Sequence, residues 1–258
     1  MTERRLEKQV ELDATPEQVW EAIATGPGIA TWFVPHRVEP REGGVVEQDY
    51  GGGFTTSGRV TAWEPGRRFA YGSFDQLSDG HPDYAYEFLV EGRDGGSTVL
   101  RFVQSGFLDG ADWDGEYDSF DAGWTLFFAN LRNYLRYFPG RPAQNAVAMT
   151  YTAGSAREVW PVLHRGLGLP GHPALGDEVT LAPDGPKAIT GVVDVANDEF
   201  VGVRSAHGLH RIGAEGDAGC GVSAYHYFYD GPVDAAAVTT DWQAWLTRLF
   251  PVPEGEPR

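Results

Sequence analysis

One short pattern occurs twice in this chain. Thr15-Pro16-Glu17-Gln18-Val19-Trp20 follows a segment of alternating polar and apolar residues, and Ser155-Ala156-Arg157-Glu158-Val159-Trp160 follows another, 140 positions later from Trp20 to Trp160. Each copy also closes on an amphipathic aromatic stretch ending in Phe-Pro, at Leu135 to Pro139 and at Thr247 to Pro251. A plan repeated at this distance restricts the chain to two units of the same kind, each burying its own core. The 258 residues suit two domains of ordinary size. The expected divisions are 1–141 and 145–251, the second smaller and more divergent, joined by a short linker.

Within each copy the pattern changes period. Arg5 to Leu12 alternates, with Leu6, Val10 and Leu12 on one side, although Lys8 interrupts that side. Thr15 is placed to cap a helix, Pro16 suits its first position, and Gln18 completes a capping box. Ile29, Trp32 and Phe33 predict a second short helix. From Gly44 to Gln104 the period is two, with expected strands at 45–50, 55–63, 68–74, 84–91 and 98–104, punctuated by Glu64-Pro65-Gly66 and Asp94-Gly95-Gly96. Residues 108–118 read as an acidic loop. A long helix is expected next, carrying Phe120, Trp124, Phe127, Phe128, Leu131, Tyr134, Leu135 and Phe138 at steps of three and four. The second copy repeats this in less space. Its expected strands are 146–152, 187–195, 200–206 and 221–229, and its closing helix carries Val238, Trp242, Trp245, Leu246 and Leu249. Short turns between strands make each sheet antiparallel. The fold class is α+β: two tandem units, each a curved antiparallel sheet wrapped around a long C-terminal helix.

The first copy resembles a known family along residues 6–138. The matching stretches are Ala14 to Trp20 with Trp32-Phe33; Gly58-Arg59-Val60 through Glu64-Pro65-Gly66-Arg67-Arg68-Phe69; Tyr86-Glu87-Phe88 with Ser97-Thr98-Val99-Leu100; Ser105-Gly106-Phe107; and Gly123-Trp124 with Leu131 and Tyr134-Leu135. They are similar to the helix-grip (SRPBCC) superfamily of START domains, birch-pollen-allergen-like proteins and polyketide cyclases. More closely, they resemble the branch of activator of heat-shock-protein-90 ATPase homologues. The second copy keeps the first-helix signature and the closing helix. The resemblance implies a fold and a cavity and brings no catalytic motif with it. Its namesake's other domain and basic contact motif have no counterpart in these residues.

Charge narrows the partners. The net charge is −17, and both halves are acidic. With no basic tract to neutralise phosphates, nucleic acid and anionic membrane surfaces are excluded as expected partners. No apolar run approaches the roughly eighteen residues of a membrane span, and no signal-peptide core is present, so the expected localisation is cytoplasmic. The single cysteine, Cys220, forbids an intrachain disulfide and reads as a packed strand residue.

Aromatic residues dominate the faces that would meet between sheet and helix. Trp32, Phe33, Tyr84, Tyr86, Phe88, Phe102, Phe107, Trp113, Trp124 and Phe128 are the expected ligand-binding wall, with Arg101 as a polar anchor if it points inward. The competing reading is that these rings fill a solid core. Five of the seven histidines lie in the second half. His207 and His210 are three apart, which on a strand points them to opposite faces, so no zinc site is expected. The acidic stretch Asp109 to Asp118 lacks the ligand ladder of a calcium loop. Gly51-Gly52-Gly53 is no phosphate loop, and Ser155 lacks a nucleophile-elbow setting. No metal and no cofactor is expected. The leading expectation is a binding module for a small hydrophobic or aromatic molecule, with the larger cavity in the first unit and a second unit closer to solid. A cyclase- or aromatase-like enzyme is the second class, and a chaperone-linked protein-interaction module the third.

Overall fold

The computed structural model describes residues 4–51, 53–72, 84–93, 95–107 and 111–251, with the side chains of 111–114 and 116 outside the description. The chain divides into two compact units, Met1–Pro142 and Ala143–Arg258.

In the first unit, β1 (Arg4–Leu12) leads into α1 (Pro16–Ala24) and α2 (Gly26–Ile29). Strands β2 (His36–Val38), β3 (Val45–Asp49), β4 (Thr55–Glu64), β5 (Arg68–Gly72), β6 (Ala85–Gly92) and β7 (Thr98–Phe107) follow, and α3 (Ala111–Tyr137) closes the unit. The seven strands lie in the order β1-β7-β6-β5-β4-β3-β2, all neighbours antiparallel. The first strand therefore pairs with the last. The second unit repeats this with one strand fewer. It runs β8 (Gln144–Thr152), α4 (Ala156–Leu167), β9 (Glu178–Leu181), β10 (Ile189–Ala196), β11 (Phe200–Arg204), β12 (Gly208–Glu215), β13 (Cys220–Phe228) and α5 (Ala235–Leu249). Its strand order is β8-β13-β12-β11-β10-β9.

The duplicated helix starts behave alike. Thr15 N–H donates to Gln18 Oε1 (2.9 Å), and Gln18 N–H to Thr15 Oγ1 (3.3 Å). In the second copy Glu158 Oε2 accepts from both the N–H and the hydroxyl of Ser155. The duplicated tryptophans also reach equivalent hairpins. Trp20 packs edge-on against Trp63 at the end of β4, and Trp160 Nε1–H donates to the Asp198 carbonyl between β10 and β11. Lys8, which breaks the apolar side of β1, meets the closing helix: its ammonium lies 2.8 Å from Asp121 and donates to Thr125.

Several expectations need correction. Helix α3 begins at Ala111, so most of the expected acidic loop is helical. Gly115 disfavours helix by about 1 kcal/mol, but acidic residues in first turns are favourable against the helix dipole. The second short helix, α2, starts at Gly26, and Trp32 and Phe33 follow it rather than belonging to it. Strands β2 and β9 are short edge strands too brief to show a period. Strand β12 was not anticipated because seven of its eight residues are buried, which leaves no alternation to read. Residues 73 and 74 of the expected third strand of that run lie outside the described residues.

Candidate functional site

The first unit brings most of the expected wall together. Phe88 and Phe102 face each other across β6 and β7, and Tyr86 faces Gln104 two pairs further along. Alternation sends all four inward, and all are buried. From α3, Trp124 and Phe128 descend onto this face. The Trp124 ring lies 4.2 Å from Phe102, 5.1 Å from Phe33 and 5.5 Å from Phe128, centroid to centroid. Trp32 stacks on Phe33 and Phe128. It is held from both sides: its Nε1–H donates to the Ala22 carbonyl, and its own carbonyl accepts from Asn130 of α3. Tyr84 and Phe107 form a second group with Phe120.

Two expected residues stand apart. Arg101 follows Leu100 and precedes Phe102, both inward, so it points outward; it is exposed and pairs with Glu91 at 3.2 Å. The side chain of Trp113 lies outside the described residues.

The polar groups inside this wall were not foreseen. Trp124 Nε1–H donates to Gln104 Oε1 at 2.6 Å, and Gln104 is fully buried. Its Nε2 has no hydrogen-bond partner among the described residues. The phenol of Tyr86 is held well above its ordinary pKa by burial, then by the neighbouring phenols of Tyr50, Tyr71 and Tyr84, so it stays protonated. Nearby, a directed chain runs from Thr56 Oγ1–H to Gln48 Oε1, from Gln48 Nε2–H to His36 Nε2, and from His36 Nδ1–H to the Val34 carbonyl. Because that carbonyl can only accept, the tautomer of His36 is determined. Burial lowers its pKa to about 4, so the ring is neutral at pH 7. A pocket of about 460 Å3 opens beside it, along β2, β3 and β4.

The second unit is not solid. A pocket of about 720 Å3 lies between the ends of β10 to β13 and the first half of α5. Its apolar walls include Pro186, Ile189, Phe228, Val238 and Trp242. Polar groups also line it: Ser205, His207, His210 and Asp230, with Lys187 and Asp241. It is larger than the pocket beside His36.

His210 and His226 are register partners on β12 and β13, both buried, with their Nδ1 atoms 3.1 Å apart. His210 Nε2 is 3.0 Å from Ser205 Oγ. Burial drives the pKa of His226 down to about 3; burial, then His226 and Arg211, lower that of His210 well below its ordinary value. His207 is exposed in the turn before β12, outside the strand that carries His210. Among the described residues no three His, Cys, Asp or Glu side chains gather into a metal-binding group. Cys220 is buried, and burial raises its pKa, so it is not a thiolate at pH 7. The pairing of His210 with His226 could have been read only by recognising β12 as a strand.

An antiparallel sheet whose first strand pairs with its last, gripped by a C-terminal helix and repeated once, defines a tandem helix-grip protein. The model of the family described as Activator of Hsp90 ATPase homolog 1-like protein matches residues 13–136. The first unit is similar to that family. No curated protein matches the chain. Among solved structures, protein MLL2253 from Mesorhizobium loti is 24% identical, covers 52% of this chain and 98% of its own, and has a TM-score of 0.48. DynU16, from the dynemicin biosynthetic locus, is 20% identical over 95% of this chain and 98% of its own, with a TM-score of 0.46. The di-domain ARO/CYC protein BexL from the BE-7585A biosynthetic pathway is 13% identical over 95% of this chain and 94% of its own, with a TM-score of 0.47. No helix among the described residues is long and apolar enough to cross a membrane.

Proposed function

We propose that this chain binds a small apolar or aromatic molecule between sheet and closing helix. The pocket of the second unit carries this reading. Its volume, about 720 Å3, falls within the range of small-molecule sites, and its walls are mainly apolar with several polar groups among them. Trp242 and Phe228 offer aromatic faces, and Ser205 and His210 offer hydrogen bonds that fix orientation. A neutral partner suits it, because Asp230, Asp234 and Asp241 outnumber Lys187 around it.

A second surface is supported by one observation in the first unit. The unused amide of Gln104 lies within an aromatic wall made by Tyr86, Phe102 and Trp124. A buried amide N–H left unpaired costs about 1–3 kcal/mol. A carbonyl or hydroxyl oxygen on a flat ligand would remove that cost. Trp32, Phe33, Tyr84, Phe88, Phe107 and Phe128 complete the wall in this proposal.

The test is titration of the full chain with a neutral environment-sensitive dye such as Nile red, alongside native mass spectrometry for co-purified ligand. Val238→Trp narrows the second-unit pocket, and Gln104→Leu removes the polar hook of the first. Binding weakened by Val238→Trp supports the principal reading. Binding indifferent to both substitutions would remove both sites.

A further inference from the structure

The polar side of the second-unit pocket holds more than binding requires. Ser205 Oγ, His210 and His226 form one continuous chain, with contacts of 3.0 Å and 3.1 Å. Ser205 and His210 line the pocket, while His226 lies behind them against the Trp242 ring, 4.4 Å between centroids. Both imidazoles are neutral at pH 7, as their burial requires. Each therefore holds one N–H. One of these protons must lie between the two Nδ1 atoms, since facing lone pairs at that distance repel. When His210 donates it, its Nε2 lone pair faces the Ser205 hydroxyl. The other arrangement sends the Ser205 hydroxyl to the Gly208 carbonyl, a longer contact of 3.3 Å. The far nitrogen of His226, Nε2, is buried without a hydrogen-bond partner among the described residues. An apolar residue at 226 would remove that orphan but leave the buried Nδ1 of His210 without its partner.

We propose that Ser205, His210 and His226 make this pocket an acyl-transfer site that hydrolyses esters of small apolar or aromatic acids. A hydroxyl within hydrogen-bond reach of a base, itself oriented by a third group, is the arrangement that activates serine for covalent catalysis. This rests on the reading of the pocket as a ligand site. Ser205 Oγ attacks the ester carbonyl carbon, and its proton passes to His210 Nε2. The tetrahedral intermediate collapses, the C–O bond to the alcohol breaks, and His210 returns the proton to the leaving oxygen. Water then attacks the acyl-serine. His210 takes the water proton and gives it back to Ser205 Oγ. The balance is ester plus water to acid plus alcohol, with no oxidant or reductant. Ser205 and His210 are the catalytic residues. His226 is a positioning residue that holds the His210 tautomer. A neutral ring steadies the transient imidazolium less than a carboxylate does, so turnover is slow. Asp230 and Asp241 make neutral or ammonium-bearing esters better substrates than esters with a free carboxylate.

The full chain should be assayed with para-nitrophenyl butyrate and treated with a fluorophosphonate probe, followed by peptide mass spectrometry. The expected result is turnover above the buffer rate and one adduct, on the peptide containing Ser205. Ser205→Ala abolishes the adduct, and His210→Gln lowers kcat roughly 10²-fold or more. His226→Phe lowers kcat while leaving KM unchanged, which a merely packing role would not separate. An unlabelled wild-type chain, an adduct elsewhere, or full activity in Ser205→Ala overturns the assignment. The wild-type label decides the matter even where a variant fails to fold. If butyrate ester displaces Nile red from the pocket but is not hydrolysed, ligand binding stands and the relay is refuted.

Discussion

Trp124 and Gln104 test whether the first unit is organised around one buried polar pair. Trp124 is 3% exposed, touches rings from β6, β7, α3 and the segment after α2, and spends its only donor on Gln104 Oε1. Trp124→Ala removes a packed indole, worth about 3–5 kcal/mol. It also strands the amide oxygen of Gln104, adding about 1–3 kcal/mol. That total is comparable with the whole stability of a domain, roughly 5–15 kcal/mol, so a gentler cycle is more informative. Trp124→Phe keeps an aromatic ring but leaves Gln104 with neither end of its amide paired. Gln104→Leu leaves the indole N–H buried and unpaired. The double variant removes both polar groups together. Its destabilisation should fall short of the summed single effects by about 1–3 kcal/mol, the penalty counted twice in the singles. Urea denaturation followed by far-ultraviolet circular dichroism measures each value, with the transition of the first unit resolved by calorimetry. Additivity within about 0.5 kcal/mol would show that the pair is not coupled. The Gln104 amide would then be satisfied by some other group, and its proposed role toward a ligand would lose its basis.

Acid should weaken the fold before its carboxylates matter. His36 and His226 have pKa values lowered to about 4 and about 3 from 6.5 by burial, so the unfolded chain binds their protons more readily. Their stabilising contribution is complete above pH 6.5 and is lost as pH falls toward those folded values; a melting temperature flat over that window refutes it. Glu215 acts in the opposite sense. Burial, then Glu199, raises its pKa from 4.5 to about 7, so stability should decline as pH rises through that interval, and Glu215→Gln should flatten the decline in a thermal melt. Asp194→Ala should cost roughly 3–5 kcal/mol in urea, because Arg211 is fully buried and makes two bonds to that carboxylate, at 2.7 and 2.9 Å. A loss below about 1 kcal/mol would mean that water reaches the guanidinium.

Elements half in water were legible in the amino-acid order, and elements buried on both faces were not. Strand β1 declares itself by Leu6, Val10 and Leu12, and α1 by Thr15 and Gln18. Each has one wet face, which writes a period into the residues. Strand β12 has none: on one side it packs into the core, and on the other Arg211 is covered while bound to Asp194. With that strand unread, its pairing with β13 was unread too, and so was the contact of His210 with His226. The aromatic wall was legible because its rings repeat at sheet and helix spacings. Its polar members were not, since nothing local distinguishes Gln104 from an exposed glutamine. Arg101 shows the opposite error. The alternation of Leu100, Arg101 and Phe102 already sends it outward.

The strand order has a consequence for how the chain is made. Leu6 is paired with Gln104 and Leu12 with Thr98, so β1 must wait for the last strand of its unit to be synthesised. The hairpins from β2 to β7 join neighbours in sequence and can zip locally, but closure of the sheet spans nearly the whole unit. The same delay recurs when Gln144 waits for Phe228. Among the described residues no strand is shared between the two sheets. The first unit can therefore finish before the partner of β8 has been synthesised, and at any moment only one unpaired N-terminal strand needs protection from aggregation.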